Sequence, residues 1–344
     1  DTLTPRPRQG HSNNANRWVL PCTTKKRKGN VMKIIEQTRI YNPDDWGAGG
    51  IFAAFSHDGQ LIAVRVPSKV WDNGKDKDNL FVYDINGNKK WSGHSLDGGT
   101  FNESGIVFYP DKYSLLVPGA DDNHGSLDGL KQYSIGGNGY TLPFAHTNLN
   151  GINTSIYAAS DKSEAILGKK DRLFCVIGKK ELPIKHDGFS EAYFSPDVEY
   201  LAFSYFMTWE SWLYKLSESD KKIKLSGQFI SFLPNGRLLE YDKNNFVVWN
   251  TSNWQEIRKF KVNLPHYIFS GASTDDGQRF ALCDFNGEIS LWDYENFTLL
   301  DKISLPSNYG ISRMKFSSDR QHLLTVVMNG ERQRKEIVVW QVEK

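Results

Sequence analysis

A short turn recurs seven times along this 344-residue chain, and its spacing limits what the chain can fold into. The turns are Phe55-Ser56-His57-Asp58-Gly59, Phe108-Tyr109-Pro110-Asp111, Ala158-Ala159-Ser160-Asp161, Phe194-Ser195-Pro196-Asp197, Phe232-Leu233-Pro234-Asn235-Gly236, Ser273-Thr274-Asp275-Asp276-Gly277 and Phe316-Ser317-Ser318-Asp319. Their Asp or Asn residues, at 58, 111, 161, 197, 235, 276 and 319, lie 53, 50, 36, 38, 41 and 43 residues apart. Pro presets φ, Asp and Asn bond back to the local backbone, and Gly accepts positive φ, so each turn suits a hairpin. An apolar run precedes most of these turns and another follows each, as in Leu61-Ile62-Ala63-Val64 and Tyr200-Leu201-Ala202-Phe203. A third strand-like run then appears, such as Phe246-Val247-Val248-Trp249.

Short strands with turn signals between them read as all-β. No amphipathic helical stretch of ten or more residues stands out. A chain this long exceeds the size at which one compact core keeps growing, so growth by repetition is the economical solution. Strand-rich units at a period near 40 predict a seven-bladed β-propeller of four-stranded antiparallel blades over residues 32–344.

The third strands end in Tyr83-Asp84, Trp249-Asn250, Trp292-Asp293 and Trp340-Gln341. With the Phe-Ser-Pro-Asp turn at 194–197, these residues resemble the WD-repeat family, and Ile289-Ser290-Leu291-Trp292-Asp293 is similar to that family's third strand. His186 stands eleven residues before Asp197, where the family often places a structural His. The resemblance runs from Met32 to Lys344 and is strongest in the last four units. It implies structural roles for Asp58, Asp111, Asp161, Asp197, His186, Trp249, Trp292, Asp293 and Trp340. The first three units are longer, and their third strands end in Tyr83-Asp84, Tyr133-Ser134 and Val176-Ile177. The family's His-Ser/Thr-Asp-Trp hydrogen-bond network is therefore incomplete in most blades, with apolar packing expected in its place. The last unit holds only three strands, while Lys33 to Tyr41 precedes the first unit unpaired. Closure as in the family implies that this N-terminal strand completes the last blade, which also removes two exposed edges.

Charge is uneven. Residues 1–31 carry seven Lys/Arg and one acid, leaving the rest of the chain at −4 against a whole-chain +2. An acidic body argues against general nucleic-acid binding except through residues 1–31. That stretch reads as a disordered basic tail or leader, although Lys25-Lys26-Arg27-Lys28 resembles a nuclear-localisation patch. Cys22, Cys175 and Cys283 form no disulfide or metal framework, and the N-terminus shows no apolar signal segment. An intracellular setting is expected, cytoplasmic rather than nuclear, with no membrane span because no run nears ~18 apolar residues.

Phosphate loops, zinc-binding His motifs, nucleophile elbows and dinucleotide turns are all absent from the sequence. Ser92 and His94 in Trp91-Ser92-Gly93-His94 read as loop residues rather than a catalytic pair. The acidic loops at Asp72, Asp76 and Asp78, and at Asp121, Asp122, Asn123 and His124, lack EF-hand spacing and read as solvated. No cofactor is expected, and the chain is read as non-enzymatic.

In the family, second-to-third-strand loops and blade-to-blade loops form the top face, the usual contact surface. Carried onto this sequence, the resemblance implies a protein- or peptide-binding set of Trp46, Trp71, Trp209, Tyr267, Tyr309, Arg332 and Arg334, with Lys335 beside them in the last loop. Aromatics and Arg dominate interface energetics. Trp212 is expected to pack in the third strand, and Trp209 to occupy the turn before it. A non-catalytic interaction scaffold is thus the leading expectation. The alternatives are a propeller hydrolase or lactonase with a channel-bound cation, and a nucleic-acid- or chromatin-associated adaptor using the basic tail with Arg332 and Arg334.

Overall fold

In a computed structural model of the chain, the described residues are 32–41, 52–56, 59–66, 78–93, 105–108, 114–120, 127–137, 140–141, 155–159, 165–169, 173–177, 180–184, 191–204, 210–218, 222–262, 264, 268–306, 309–329 and 334–343. Val31–Lys344 make one compact unit, and the stretch expected to be a basic tail lies outside the described residues. Apart from one 3-10 turn at Leu216–Glu218, the regular structure described is strand.

The first strand is β1 (Lys33–Tyr41). Sheet 1 follows as β2 (Phe52–Phe55), β3 (Leu61–Arg65), β4 (Leu80–Asp84) and β5 (Lys89–Gly93). Sheet 2 is β6 (Val107–Phe108), β7 (Ser114–Ala120), β8 (Leu127–Ser134) and β9 (Tyr140–Thr141). Sheet 3 is β10 (Ser155–Ala159), β11 (Ala165–Lys169), β12 (Leu173–Ile177) and β13 (Lys180–Pro183). Sheet 4 is β14 (Glu191–Phe194), β15 (Tyr200–Ser204), β16 (Ser211–Lys215) and β17 (Lys222–Lys224). Sheet 5 is β18 (Gln228–Leu233), β19 (Arg237–Asp242), β20 (Asn245–Asn250) and β21 (Glu256–Lys261). Sheet 6 is β22 (Ile268–Ser273), β23 (Arg279–Asp284), β24 (Glu288–Asp293) and β25 (Thr298–Ser304). Sheet 7 is β26 (Tyr309–Phe316), β27 (His322–Asn329) and β28 (Arg334–Glu343), completed by β1.

Every pairing is antiparallel, and β1 runs along β28 from Lys33 opposite Glu343 to Tyr41 opposite Glu336. The N-terminal strand therefore joins the last sheet, as the unpaired edges required. Inner strands of successive sheets lie against one another: β2 against β6, β6 against β10, β10 against β14, β18 against β22 and β22 against β26. Sheets 4 and 5 meet through β15 and β18, and β27 touches β2, returning the series to its start.

The core lies in the seams between sheets rather than at one centre. Phe55, Ile62 and Val64 of sheet 1 pack with Leu324, Ile337 and Val339 of sheet 7. Ala281, Cys283 and Leu291 of sheet 6 pack with Ile311, Phe316, Val338 and Trp340 of sheet 7. Second strands are covered on both faces, so they read as nearly unbroken apolar runs, such as Ile62 to Arg65, all buried. The fourth strands β5, β17, β21 and β25 are exposed or half-buried along their length. β21 is exposed at Glu256, Ile257, Arg258, Lys259 and Lys261, and such charge discourages edge-to-edge association.

Candidate functional site

Antiparallel order gives each sheet two unlike ends. First-to-second and third-to-fourth connections share one end, the turn side; second-to-third loops and sheet-to-sheet passages share the other, the crossover side.

The turn side is a set of hydrogen-bonded turns. Ser195 Oγ donates to Asp197 Oδ1 at 2.5 Å, and the Tyr200 amide donates to Ser195 Oγ at 2.9 Å. Thr274 with Asp276 and Ser317 with Asp319 repeat the arrangement at 2.6 and 2.5 Å. Asp293 Oδ1 accepts from the Asn296 amide at 2.8 Å in a third-to-fourth turn. Asp197 and Asp293 thus hold turns. Asp58, Asp111, Asp161 and His186 lie outside the described residues.

The expected tryptophans share one rung of their sheets. Trp249, Trp292 and Trp340 stand opposite Leu238, Phe280 and Leu323, the rung that Tyr83, Tyr133 and Tyr214 occupy in sheets 1, 2 and 4. Two residues further along each second strand, the side chain decides the ring's partner. In sheet 7 it is Thr325, and Trp340 Nε1 donates to its hydroxyl at 2.9 Å. In sheet 6 it is Leu282, which accepts nothing, and Trp292 Nε1 turns to Ser290 Oγ at 2.9 Å. In sheet 4 it is Phe203, packed edge-on against Tyr214 at 5.4 Å. In sheet 5 the expectation of apolar packing fails. There the residue is Glu240, with no exposed surface, and its Oε2 accepts from Trp249 Nε1 at 2.5 Å. Its Oε1 accepts from Ser226 Oγ at 2.8 Å and from the Gly227 amide. Burial pushes the Glu240 carboxyl upward, against the pull of those three donors. Trp212 lies in β16, half-buried, with Lys222 Nζ 4.4 Å from its ring centre.

On the crossover side, Trp46, Trp71, Trp209, Tyr267 and Arg332 lie outside the described residues. Arg334 and Lys335, expected in the last loop, are strand residues instead. The β27–β28 ladder continues through Met328 opposite Lys335 and Asn329 opposite Arg334, so the hairpin is longer and its loop shorter than the sequence suggested. Tyr309 opens β26 and is half-buried, with the Arg39 guanidinium 6.0 Å from its ring centre. Arg39 donates to Glu36 at 2.9 and 2.6 Å, and to the buried Glu336 at 2.5 Å. The Glu36 hydrogen bond foremost, opposed by burial and joined by Glu336, raises the guanidinium pKa further. Arg39 is a fixed cation beside a tyrosine ring.

The turn between β23 and β24 approaches the Tyr309 backbone. A Cβ on Gly287 would stand 2.7 Å from the Tyr309 carbonyl oxygen, so backbone meets backbone there. At the same turn Phe285 is 48% exposed. Phe285 and Arg39 are not among the residues that the sequence nominates. An aromatic between Asp284 and Asn286-Gly287, a position ordinarily polar, was the available signal for the first. Nothing in the sequence marked Arg39, because its partner Glu336 lies 297 residues away.

These groups suit recognition by contact. Among the described residues no cluster of His, Cys, Asp and Glu is arranged to hold a metal ion, and no helix is long and apolar enough to cross a membrane. Cys283 is fully buried, and burial pushes its thiol up, away from the nucleophilic form. Ser92 donates to Asp78 at 2.5 Å, and His94 lies outside the described residues.

No protein-family model matches the chain, and no curated protein matches it. Among solved structures it is similar to Raptor of Chaetomium thermophilum, a protein containing a WD40 β-propeller, with a TM-score of 0.61 and 12% sequence identity. The match covers 90% of this chain and 29% of Raptor, so the chain spans under a third of that protein's length. At that identity the likeness bears on fold alone, and it agrees with an all-β, propeller-like arrangement.

Proposed function

We propose that the chain is a closed, seven-bladed propeller of the WD-repeat kind that acts without catalysis, holding a protein or peptide partner on its crossover side. The observation that carries this reading is the patch formed by exposed Phe285, the neighbouring Tyr309 and the Arg39–Glu336 pair. Aromatic and Arg side chains on rigid sheet ends lose little freedom on binding, which is the economy of a preorganised contact surface. The seven four-stranded sheets and the return of β27 to β2 support the blade count and the closure. An intracellular setting fits the same picture, since Cys283 is free and buried and the sequence offers no disulfide framework.

The test is quantitative affinity purification with the full chain and with a Phe285→Ala/Tyr309→Ala variant of unchanged melting temperature. Loss of about tenfold or more in recovery of a reproducible protein partner is expected, in line with ~2 kcal/mol for anchor residues. Equal recovery by both forms would remove the crossover side from consideration.

A further inference from the structure

The turn side carries a recess. Between the Pro196–Asp197 turn of sheet 4 and the Asn235–Arg237 segment of sheet 5 lies a cleft of 290 Å³, floored by Phe232 and Leu233. Turn length explains why it opens here. In sheets 1, 4, 6 and 7 four residues separate the last paired positions of the first hairpin, as between Ser195 and Tyr200 or Ser317 and His322. In sheet 5 the hairpin closes with three, Pro234 to Gly236, with Asn235 and Gly236 at φ 61° and 63°. Neighbouring seams are bridged at this level. Arg320 pairs with Asp276 at 2.5 Å, Gln60 bonds Asp319 at 3.3 Å, and Pro234 sits where a Cβ on Gly277 would be 2.6 Å away. With the shorter turn, no side chain among the described residues bridges the rim of the seam between sheets 4 and 5.

Below the rim that seam is fixed. Tyr200 Oη donates to the Thr251 carbonyl at 2.8 Å, Tyr200 packs edge-on against Trp254 at 5.6 Å, and Thr251 Oγ1 donates to the Gly236 carbonyl at 3.0 Å. The walls therefore hold their separation. Three residues of the lining carry polar groups with capacity to spare. The Arg237 guanidinium makes no hydrogen bond or ion pair among the described residues, and neither does the Asn235 amide. Asp197 uses Oδ1 for Ser195 and the Glu199 amide, which leaves Oδ2 open. Asp197 and Arg237 form no ion pair with each other across the cleft.

We infer that this cleft docks an extended, acidic segment of a partner protein. A guanidinium fork with no internal partner takes a carboxylate in two parallel hydrogen bonds. Asp197 Oδ2 and the Asn235 amide suit the N–H and C=O of an extended backbone. Phe232, Leu233 and Pro196 offer an apolar seat for an adjacent aliphatic side chain, and a few polar groups around an apolar floor is the usual form of a ligand recess. A phosphate brings more negative charge and no N–H for the Asp197 carboxylate to accept from, whereas an acidic peptide sets one carboxylate on Arg237 and offers its backbone amides to Asp197, so the peptide is the better match. The cleft lies at the end of the sheets away from Phe285 and Tyr309, so either surface can fail without the other.

The experiment is a titration of the deuterated, ¹⁵N-labelled full chain with N-acetyl-Leu-Glu-Leu amide, followed by amide shifts. Parallel titrations use the peptide with Gln in place of Glu, inorganic phosphate, and the Arg237→Ala and Arg237→Gln variants. The expected result is shifts confined to the amides around Asn235, Gly236 and Thr251. The Glu peptide should bind at least tenfold more tightly than the Gln peptide, and both variants should lose that preference while keeping the remaining spectrum. Absence of shifts at millimolar peptide, equal response to both peptides, equal response to phosphate, or retention in both variants would each overturn the assignment.

Discussion

A carboxylate with no exposed surface survives only where donors surround it, and Glu240 has three. A Gln at 240 would retain one acceptor oxygen and turn an amide donor toward Trp249 or Ser226, so Glu240→Gln is expected to cost about 1–3 kcal/mol in denaturant melts. A change within a few tenths would show that the network adds nothing. Asp84 makes a contrasting case at the surface. Burial acts to raise its carboxyl, but hydrogen bonds from Asn88, Lys90 and the Asn86 amide outweigh it and hold the pKa at about 2 rather than 3.8. With the folded value depressed, its stabilisation is present above pH 3.8 and disappears as pH falls through 2. The Asn86 and Asn88 amide protons should therefore titrate with a midpoint near 2; a midpoint at 3.8 would refute the turn geometry. The repeating tryptophans were legible because their spacing recurs. Glu240 was not, because a Glu inside an apolar strand pattern reads as a solvent-facing position unless its partners are known, and Ser226 and Gly227 belong to the passage between sheets.

Strands and hairpin turns were readable from short apolar runs and turn chemistry, the second strands most plainly because their runs are nearly unbroken. Strand ends were less so. Arg334 and Lys335 read as loop because they are charged, yet the ladder past Val327 carries them into β28. Most of the crossover-side residues nominated from the sequence fall between strands, where no periodicity fixes a side chain's direction. The passage from sheet 4 to sheet 5 gives a test at this scale. A Cβ on Gly227 would overlap the Tyr241 carbonyl oxygen and stand 2.8 Å from the Asp242 Cα, both unyielding backbone. Gly227→Ala should force the passage outward, weaken the amide's bond to Glu240 and cost about 1–3 kcal/mol. Unaltered melting would mean that the passage can relax freely.

Closure governs the molecule as a whole. β1 supplies the fourth strand of sheet 7 and is tied to both neighbouring sheets: the Ile34 amide donates to Asp301 of sheet 6 at 2.8 Å, and Gln37 Nε2 donates to Asn86 of sheet 1 at 3.0 Å. Ile34 and Ile40 are buried in the two seams that flank it. The missing fourth strand and the unpaired N-terminal run made this pairing legible, whereas the lateral ties could not be read, since each depends on where two distant chain segments meet. The proposed binding platform needs a seam that stays shut, so the most direct test is thermal melting of the chain beginning at residue 42 against the full chain. Losing two buried Ile side chains and a full ladder is expected to lower the midpoint by roughly 5–10 °C and to promote association through the bared β28 edge. An unchanged midpoint with a monodisperse truncated chain would contradict closure by β1.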